Sequence, residues 1–361
     1  MRIVQLIDTL VPGGAERMAV NYANELSDSL QFSGLVATRY AGDLVSQISK
    51  NVNYLCLAKK STIDFKALFL FRKYLVENRV TIIHAHSTSF FFAFLIKFFL
   101  PEIKLIWHDH YGDSEFLEKR PKHAIKLAMF FYSGIIVVNQ KLKDWALNSL
   151  HFKKVIYLPN FPVNEINVQN KTILNGTNGK RIVCLANFRP QKNHYHLIKV
   201  AEKLLKSYSD WSFHLVGKDF GDDYSKSIKN EIVIKNLSKN VFVYDSKQDI
   251  SNILSQSEIA ILTSNSEGLP LALLEYGLNN KAVVVTNVGE IASIIKNNEN
   301  GFIVDPSDHE TFYQYLIALI QNEDLRIKIR NNLTSFIVQN FSKKSIVNKY
   351  LNWIANTTTI S

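Results

Sequence analysis

The chain has 361 residues, 47% of them hydrophobic and 20% charged, which excludes a disordered polypeptide and a single small core. Lysine and arginine exceed the acids, 42 to 32, for a net charge of +10. That excess favours an anionic partner such as a phosphorylated substrate, an acidic membrane surface or nucleic acid, without choosing among them.

Met1 to Asp8 is a short apolar stretch followed by Pro12-Gly13-Gly14, with no small-residue cleavage site. It reads as a first strand rather than a signal peptide. Further strand-like runs follow at 34–38, 81–84, 105–107, 135–138 and 155–158, with helical segments at 15–26, 65–78 and 142–150 between them. Cys56 and Cys184 are the two cysteines, each within a predicted strand, where a buried reduced thiol is expected.

The most apolar segment, Phe90 to Leu100, is eleven residues long. A spanning helix needs about 20 apolar residues, so a buried domain helix is the preferred reading. A second reading places its aromatic side chains, with Lys119-Arg120-Pro121-Lys122, against an anionic bilayer.

The Asn-rich stretch 164–180 has little apolar content and reads as a linker between a first domain, 1–163, and a second, 181–340. The alternation restarts with strands at 181–186, 212–216, 241–243, 259–262, 282–286 and 301–304, then closes with helices at 310–322, 324–340 and 343–355. Strand and helix alternating in this way predict two doubly wound α/β domains, with ligands collecting at the carboxyl ends of the strands.

Four loops carry the chemistry. The glycine pair Gly13-Gly14 after the first strand lets the backbone turn sharply toward a ligand, though it matches neither dinucleotide nor P-loop spacing. His108 and His110 end a later strand, where an imidazole can hydrogen-bond a substrate. A metal reading of this loop, with His108, His110 and a nearby carboxylate, lacks a third ligand at recognisable spacing, and His84 and His86 near the preceding strand read equally as substrate contacts or as ordinary polar loop residues. The basic loop Asn187-Phe188-Arg189-Pro190-Gln191-Lys192 can reach a diphosphate, Arg189 as a fork and Lys192 as a point charge. Glu267-Gly268-Leu269-Pro270 turns into a helix bearing Glu275, with Pro270 suited to its first position. The amides of that helix start, flanked by two carboxylates, suit a nucleotide sugar. Asp219, Asp222 and Asp223 read as a solvated turn rather than a metal site.

These motifs, with Leu158-Pro159-Asn160, Val285 to Glu290 and Gly301 to Pro306, occur in an order that resembles family-four retaining glycosyltransferases of group 1. The resemblance covers nearly the whole chain. It implies the GT-B architecture, two Rossmann-like domains facing across a cleft, with the final segment, 341–361, returning to the first domain. The implied donor is a nucleotide diphosphate sugar, and no divalent metal or other cofactor is required. Glu267 then contacts the transferred sugar, with the amides of Gly268 and Leu269, before Pro270, beside sugar and phosphate. Glu275 accepts from the ribose, Arg189 and Lys192 neutralise the diphosphate, and Gly14 lets its loop close over it. A histidine of the 108–110 loop touches the donor sugar, His110 being preferred to His108. Three positions depart from the family pattern. Asn187 stands where arginine is usual, the last glutamate after Gly289-Glu290 is missing, and Tyr244 replaces a glycine before the base-binding loop.

The expected activity is hexose transfer to a saccharide or lipid-linked saccharide in surface polysaccharide or lipopolysaccharide synthesis. The expected location is cytoplasmic, or peripheral at the inner face of a membrane. A sugar-nucleotide epimerase of the same architecture and a non-catalytic nucleotide-sugar binder are the alternatives. No nucleic-acid module appears, so nucleic acid is not expected as a partner.

Overall fold

The structure, a computed structural model, describes residues 1–114, 116–163 and 171–358. Contacts divide it into two units, Met1–Phe161 with the C-terminal helix from Lys343, and Pro162–Ser342.

The first unit has strands β1 (Arg2–Thr9), β2 (Phe32–Tyr40), β3 (Asn53–Cys56), β4 (Ile82–His86), β5 (Lys104–Asp109), β6 (Gly134–Val137) and β7 (Val155–Tyr157). All pair in parallel in the order β3-β2-β1-β4-β5-β6-β7. A parallel strand is covered on both faces, which is why these strands are nearly continuous apolar runs. The crossover helices are α1 (Gly14–Ser27), α2 (Phe65–Glu77), α3 (Phe90–Ile96), α4 (His123–Met129) and α5 (Gln140–Ser149). Asp64 and Asn139 cap α2 and α5 by accepting from the amides of Ala67 and Leu142.

The second unit repeats the design with β8 (Arg181–Leu185), β9 (Ser212–Val216), β10 (Val241–Tyr244), β11 (Ile259–Leu262), β12 (Ala282–Thr286) and β13 (Phe302–Val304). Their order is β10-β9-β8-β11-β12-β13, again parallel. Its helices are α6 (His194–Leu204), α7 (Asp223–Ile234), α8 (Ile250–Ser255), α9 (Leu271–Leu278), α10 (Ile291–Ile294), α11 (His309–Gln321) and α12 (Glu323–Asn340). In both sheets the order reverses beside the first strand, at β1/β4 and at β8/β11, which makes both units Rossmann-like.

The last helix, α13 (Lys343–Thr358), packs on the first unit. Tyr350 is fully buried, its ring centroid 4.8 Å from that of Tyr22 on α1. Trp353 lies over β6 where Gly134 has no side chain; a Cβ there would sit 2.4 Å from the indole.

Some expectations need correction. Of the stretch 164–180, residues 164–170 lie outside the described residues, and 171–180 are fastened to the second unit rather than free. Asp249 accepts from the amides of Lys171 and Thr172 and from the Thr172 hydroxyl, at 2.8–2.9 Å. Tyr244 anchors the same segment, its hydroxyl accepting from the Asn175 amide at 3.0 Å. Helix α3 stops at Ile96; overlapping turns lead to Pro101, which cannot continue a helix. Cys56, on the edge strand β3, is half-buried, whereas Cys184 is buried and its thiol is pushed up to about 12. Asp222 is the N-cap of α7, accepting from Ser225 N–H, so part of the acidic turn is built into a helix start.

Candidate active site

In the second unit the loops after β8 and β11 leave the sheet on either side of the order reversal. The first carries Asn187 to Lys192 and the second carries Thr263 to Pro270. They are joined directly: the Asn265 amide donates to the Gln191 carbonyl at 2.7 Å, and the Thr263 hydroxyl to the Lys192 carbonyl at 3.1 Å. Asn193, in the left-handed region at φ 49°, caps α6 and donates to Asn265 Oδ1 at 3.0 Å.

Across this junction Lys192 Nζ donates to both carboxylate oxygens of Glu267, each at 2.7 Å. The Ser264 hydroxyl donates to Oε1 at 2.7 Å. Glu267 is only 5% exposed, so losing Lys192 would strand a buried carboxylate. Fixing a carboxylate by three hydrogen bonds from two donors leaves it little rotamer freedom, which is what a sugar-binding group requires.

The turn that follows rests on the loop after β12. Gly289 has φ +57°, and a Cβ on it would lie 2.2 Å from the Glu267 carbonyl oxygen and 2.5 Å from that of Gly268. The Glu290 amide donates to the Gly268 carbonyl at 3.0 Å. Gly268, Leu269 and Pro270 are buried, and Pro270 is the N-cap of α9, one residue earlier than expected, with Leu271 opening the helix. Glu275 is half-buried within α9.

Tyr276, adjacent to Glu275 and fully buried, ties α9 to both strands at the reversal. Its hydroxyl accepts from the Leu185 amide at 2.7 Å and donates to the Ile261 carbonyl at 3.1 Å. Burial holds that phenol well above its usual pKa. The two other basic-loop positions are placed differently from Lys192. Asn187 Oδ1 accepts from the Lys218 amide at 2.8 Å, so it braces the loops after β8 and β9. The exposed guanidinium of Arg189 lies over the Phe220 ring, 5.0 Å from its centroid.

In the first unit, His84 and His86 are fully buried on β4, not polar loop residues. Parallel register sets His86 opposite His108 on β5, and His110 follows that strand. Nitrogens of His84, His86 and His108 lie within 4.8 Å of one another, a set that shares only His108 with the metal reading of the 108–110 loop. The set fits a cation poorly. His86 has both nitrogens engaged, Nε2 with Gln5 Oε1 at 2.8 Å and Nδ1 with His110 Nε2 at 3.0 Å. Burial pushes all four imidazoles down, His110 to about 3, and their mutual repulsion adds to this for His84, His86 and His108. Neutral rings are therefore the native form.

Gly13 and Gly14 do not use the freedom expected of them. Gly13 is extended at φ −166° as the N-cap of α1, and neither residue has positive φ. Space is the relevant property at Gly14, where a Cβ would meet nothing within 4 Å.

Two family models match the chain, "Glycosyltransferase Family 4" over residues 12–161 and "Glycosyl transferases group 1" over residues 166–336. The chain belongs to the family-four, group 1 glycosyltransferases. Among curated relatives, the UDP-Gal:alpha-D-GlcNAc-diphosphoundecaprenol alpha-1,3-galactosyltransferase of Escherichia coli is 23% identical, covering 98% of this chain and 97% of its own. The amylovoran biosynthesis glycosyltransferase AmsD of Erwinia amylovora is 25% identical over 90% of this chain and 92% of its own. Two solved structures share the GT-B fold. Anabaena HepE in complex with UDP-glucose has a TM-score of 0.78 at 16% identity, covering 99% of this chain and all of its own. Staphylococcus aureus TarM has a TM-score of 0.77 at 15% identity, covering 98% of both chains.

The sequence reading of this glycosyltransferase missed Gln5, Ser264, Tyr276 and the supporting role of Gly289. It also missed Asp8 at the end of β1, which accepts from Thr38 at 2.5 Å and Thr88 at 3.1 Å, with the buried Lys59 at 3.7 Å. Burial opposes ionisation of Asp8, but these donors and lysine outweigh it and lower its pKa.

Gly289→Ala in this glycosyltransferase is expected to push the Glu267–Gly268 turn away, lowering turnover at least about tenfold, since even slight misplacement of a site group is costly. Steady-state kinetics on folded protein checks this; wild-type kcat/KM would show that the turn tolerates displacement.

The buried histidines predict acid lability. With folded pKa values below the unfolded value of about 6.5, the unfolded chain takes up protons that the native chain refuses. Stability conferred by each neutral ring is complete above pH ~6.5 and falls by about 1.4 kcal/mol per pH unit below it, until the folded pKa is reached. The denaturant midpoint is expected to drop between pH 7.5 and 5.5, and less so in His108→Phe; identical slopes for both proteins would contradict the assignment.

Proposed function

We propose that this glycosyltransferase moves a hexose-type sugar from a nucleotide diphosphate sugar to a saccharide or lipid-linked saccharide acceptor, with retention of anomeric configuration. The observation that carries this reading is the Lys192–Glu267–Ser264 cluster at the strand-order reversal, beside the start of α9. Ligands of doubly wound sheets collect at that position, and helix amides there suit phosphate. The E. coli relative's name, with a UDP-sugar donor and a diphospholipid-linked acceptor, supports both substrate classes.

In this reading Glu267 accepts hydroxyls of the transferred sugar, the amides of Gly268 and Leu269 lie by sugar and phosphate, and Glu275 accepts from the ribose. Lys192 has two tasks, orienting Glu267 and adding positive charge for the departing diphosphate. Arg189 supplies a second cation once its side chain swings from Phe220. The bond from the anomeric carbon to the phosphate oxygen breaks as the acceptor oxygen bonds on the same face. The acceptor proton passes to the leaving phosphate, so no metal or protein nucleophile enters. The α-linkage named for the E. coli relative supports retention, because UDP-galactose is itself an α-glycoside.

Glu275→Ala is expected to weaken UDP binding about tenfold, the worth of a hydrogen bond to a charged group, and Glu267→Ala to lower kcat about a hundredfold with less effect on KM. Calorimetry with UDP, and kinetics with the nucleotide sugar that most raises the melting temperature, measure the two effects. Unchanged binding and turnover in both variants would remove the site assignment.

We also propose that an anionic membrane surface is where the acceptor is met. No helix among the described residues is long and apolar enough to cross a membrane. The aromatic surface coincides with the one expected in part only, since most of the 90–100 segment is covered, as the preferred reading of it has it. Phe92, Phe94 and Ile96 of α3 are buried, and Arg120 is withdrawn, paired with Asp109 at 2.6 and 2.9 Å. Exposed are Phe98 (63%) of that segment and, outside it, Leu127 (60%) and Phe130 (80%), with Phe98 against Phe131 at 5.8 Å between ring centroids. Lys122 and Lys126 flank them in the chain. Vesicle flotation at low salt is expected to carry the protein up with phosphatidylglycerol liposomes, and Phe98→Ser/Phe130→Ser to leave it below. Wild-type protein remaining wholly in the soluble fraction would refute docking.

A further inference from the structure

At the amino edge of the first sheet, opposite the end that bears Asp8 and His110, two cavities lie side by side. One, of about 440 Å³, is walled by the end of α2, the chain after α3 and the starts of β4 and β5. The other, of about 560 Å³, is walled by α4, the residues just before β6 and β7, and the end of α13. Lys104 and Thr358 line both, so the two form one groove. Each is within the range of about 300–1,000 Å³ usual for small-molecule sites.

The two ends differ in chemistry. The smaller presents Leu75, Val76, Val80, Leu100, Pro101 and Ile103. Its walls are held by the main chain. Val80 N–H donates to the Leu75 carbonyl at 2.9 Å as α2 gives way to β4, and Lys97 Nζ donates to the carbonyls of Pro101 and Ile103. Val76 is 51% exposed, so apolar surface is left in water here. Arg79 and Glu102, of opposite charge, stand along the same end. The larger end is lined by Lys104, Lys126, Lys153 and Lys154 and by no carboxylate. Among the described residues none of these four lysines has an acidic partner. Ammonium groups gathered around one cavity repel one another, and an anion relieves that repulsion.

We propose that this groove binds an anionic lipid, its phosphate against the four lysines and an acyl chain along the apolar end. Lysine holds phosphate as a mobile point charge, so the basic end suits headgroups that differ beyond the phosphate. Each methylene buried at the apolar end is worth about fourfold in affinity. Phe130 and Lys126 line the groove and also belong to the docking surface proposed above, so the groove opens beside that surface. Binding of a single amphiphile does not itself rest on vesicle docking or on the nucleotide-sugar reading. Because the groove is at the amino edge, its occupant is a bound lipid rather than the acceptor.

Calorimetry on the full chain with octyl phosphate and decyl phosphate, each below the concentration at which it aggregates, tests the site. Decyl phosphate is expected to bind about tenfold more tightly than octyl phosphate. Lys153→Glu/Lys154→Glu, at two exposed positions, is expected to weaken both at least about tenfold. Val76→Trp, which fills the apolar end from an exposed position, is expected to abolish the advantage of the longer chain. No binding of either alkyl phosphate, or binding untouched by both variants, would overturn the site. Inorganic phosphate binding as tightly as decyl phosphate would leave the apolar end without a role, and decanol binding as tightly would leave the lysines without one; either result overturns the lipid assignment. A dimer in sedimentation that dissociates in Val76→Trp would place a second copy in the groove and overturn it too. Failure of vesicle docking would appear separately, as protein that binds decyl phosphate yet stays below in flotation.

Discussion

Where the strand order turns back between β8 and β11, the connecting loops leave the sheet in opposite directions, which opens a crevice at its carboxyl edge. The geometry of the second unit's candidate site depends on that constraint. Diverging loops would splay apart unless something held their bases together, and several contacts do so. Main-chain bonding joins 191 to 265, Lys192 reaches Glu267, and the Tyr276 hydroxyl spans the ends of both strands. Glu267 is thus positioned by interactions that also hold the sheet's carboxyl edge in register.

The two units solve the same topological problem with different chemistry. At β8/β11 a charged pair sits near the reversal, partly open, its desolvation cost offset by three short hydrogen bonds. At β1/β4 the corresponding region is filled by neutral imidazoles, Gln5 and two tyrosines, packed at ring distances of 3.9–5.7 Å. Burial keeps those rings uncharged, and neutral rings tolerate close stacking where imidazolium ions would repel. A polar group locked into such a network gains a fixed orientation, at the expense of some unpartnered nitrogens on His84 and His108.

Much of the architecture was legible in local pattern. The strands at 212–216, 259–262 and 282–286 have their predicted bounds because fully covered strands are apolar without interruption. Helix starts carried their own caps, such as Asp64, Asn139 and Asp308. Contacts between elements were not legible. Arg120 looked like part of a basic surface cluster, yet Asp109 and the rings of Trp107, Tyr111 and Trp145 draw it inward. The polar residues after 170 resembled a linker, yet Asp249 supplies the acceptor that fastens them. Each of these partners is distant in sequence or belongs to another element.

The sequence by itself determined the alternation that makes two Rossmann-like units, the membership in family four, and the spacing of Glu267 and Glu275 about a helix start. Periodicity and short motifs encode these because they depend on neighbours along the chain. Only the tertiary structure decided that Lys192 grips Glu267, that Asn187 braces a loop, that the backbone crowds Gly289 where at Gly13 only a glutamate side chain is near, and that His86 stands between Gln5 and His110. Those outcomes depend on strand register and on which helix covers which face. Both are properties of the assembled sheets, where residues more than seventy positions apart come within hydrogen-bond distance.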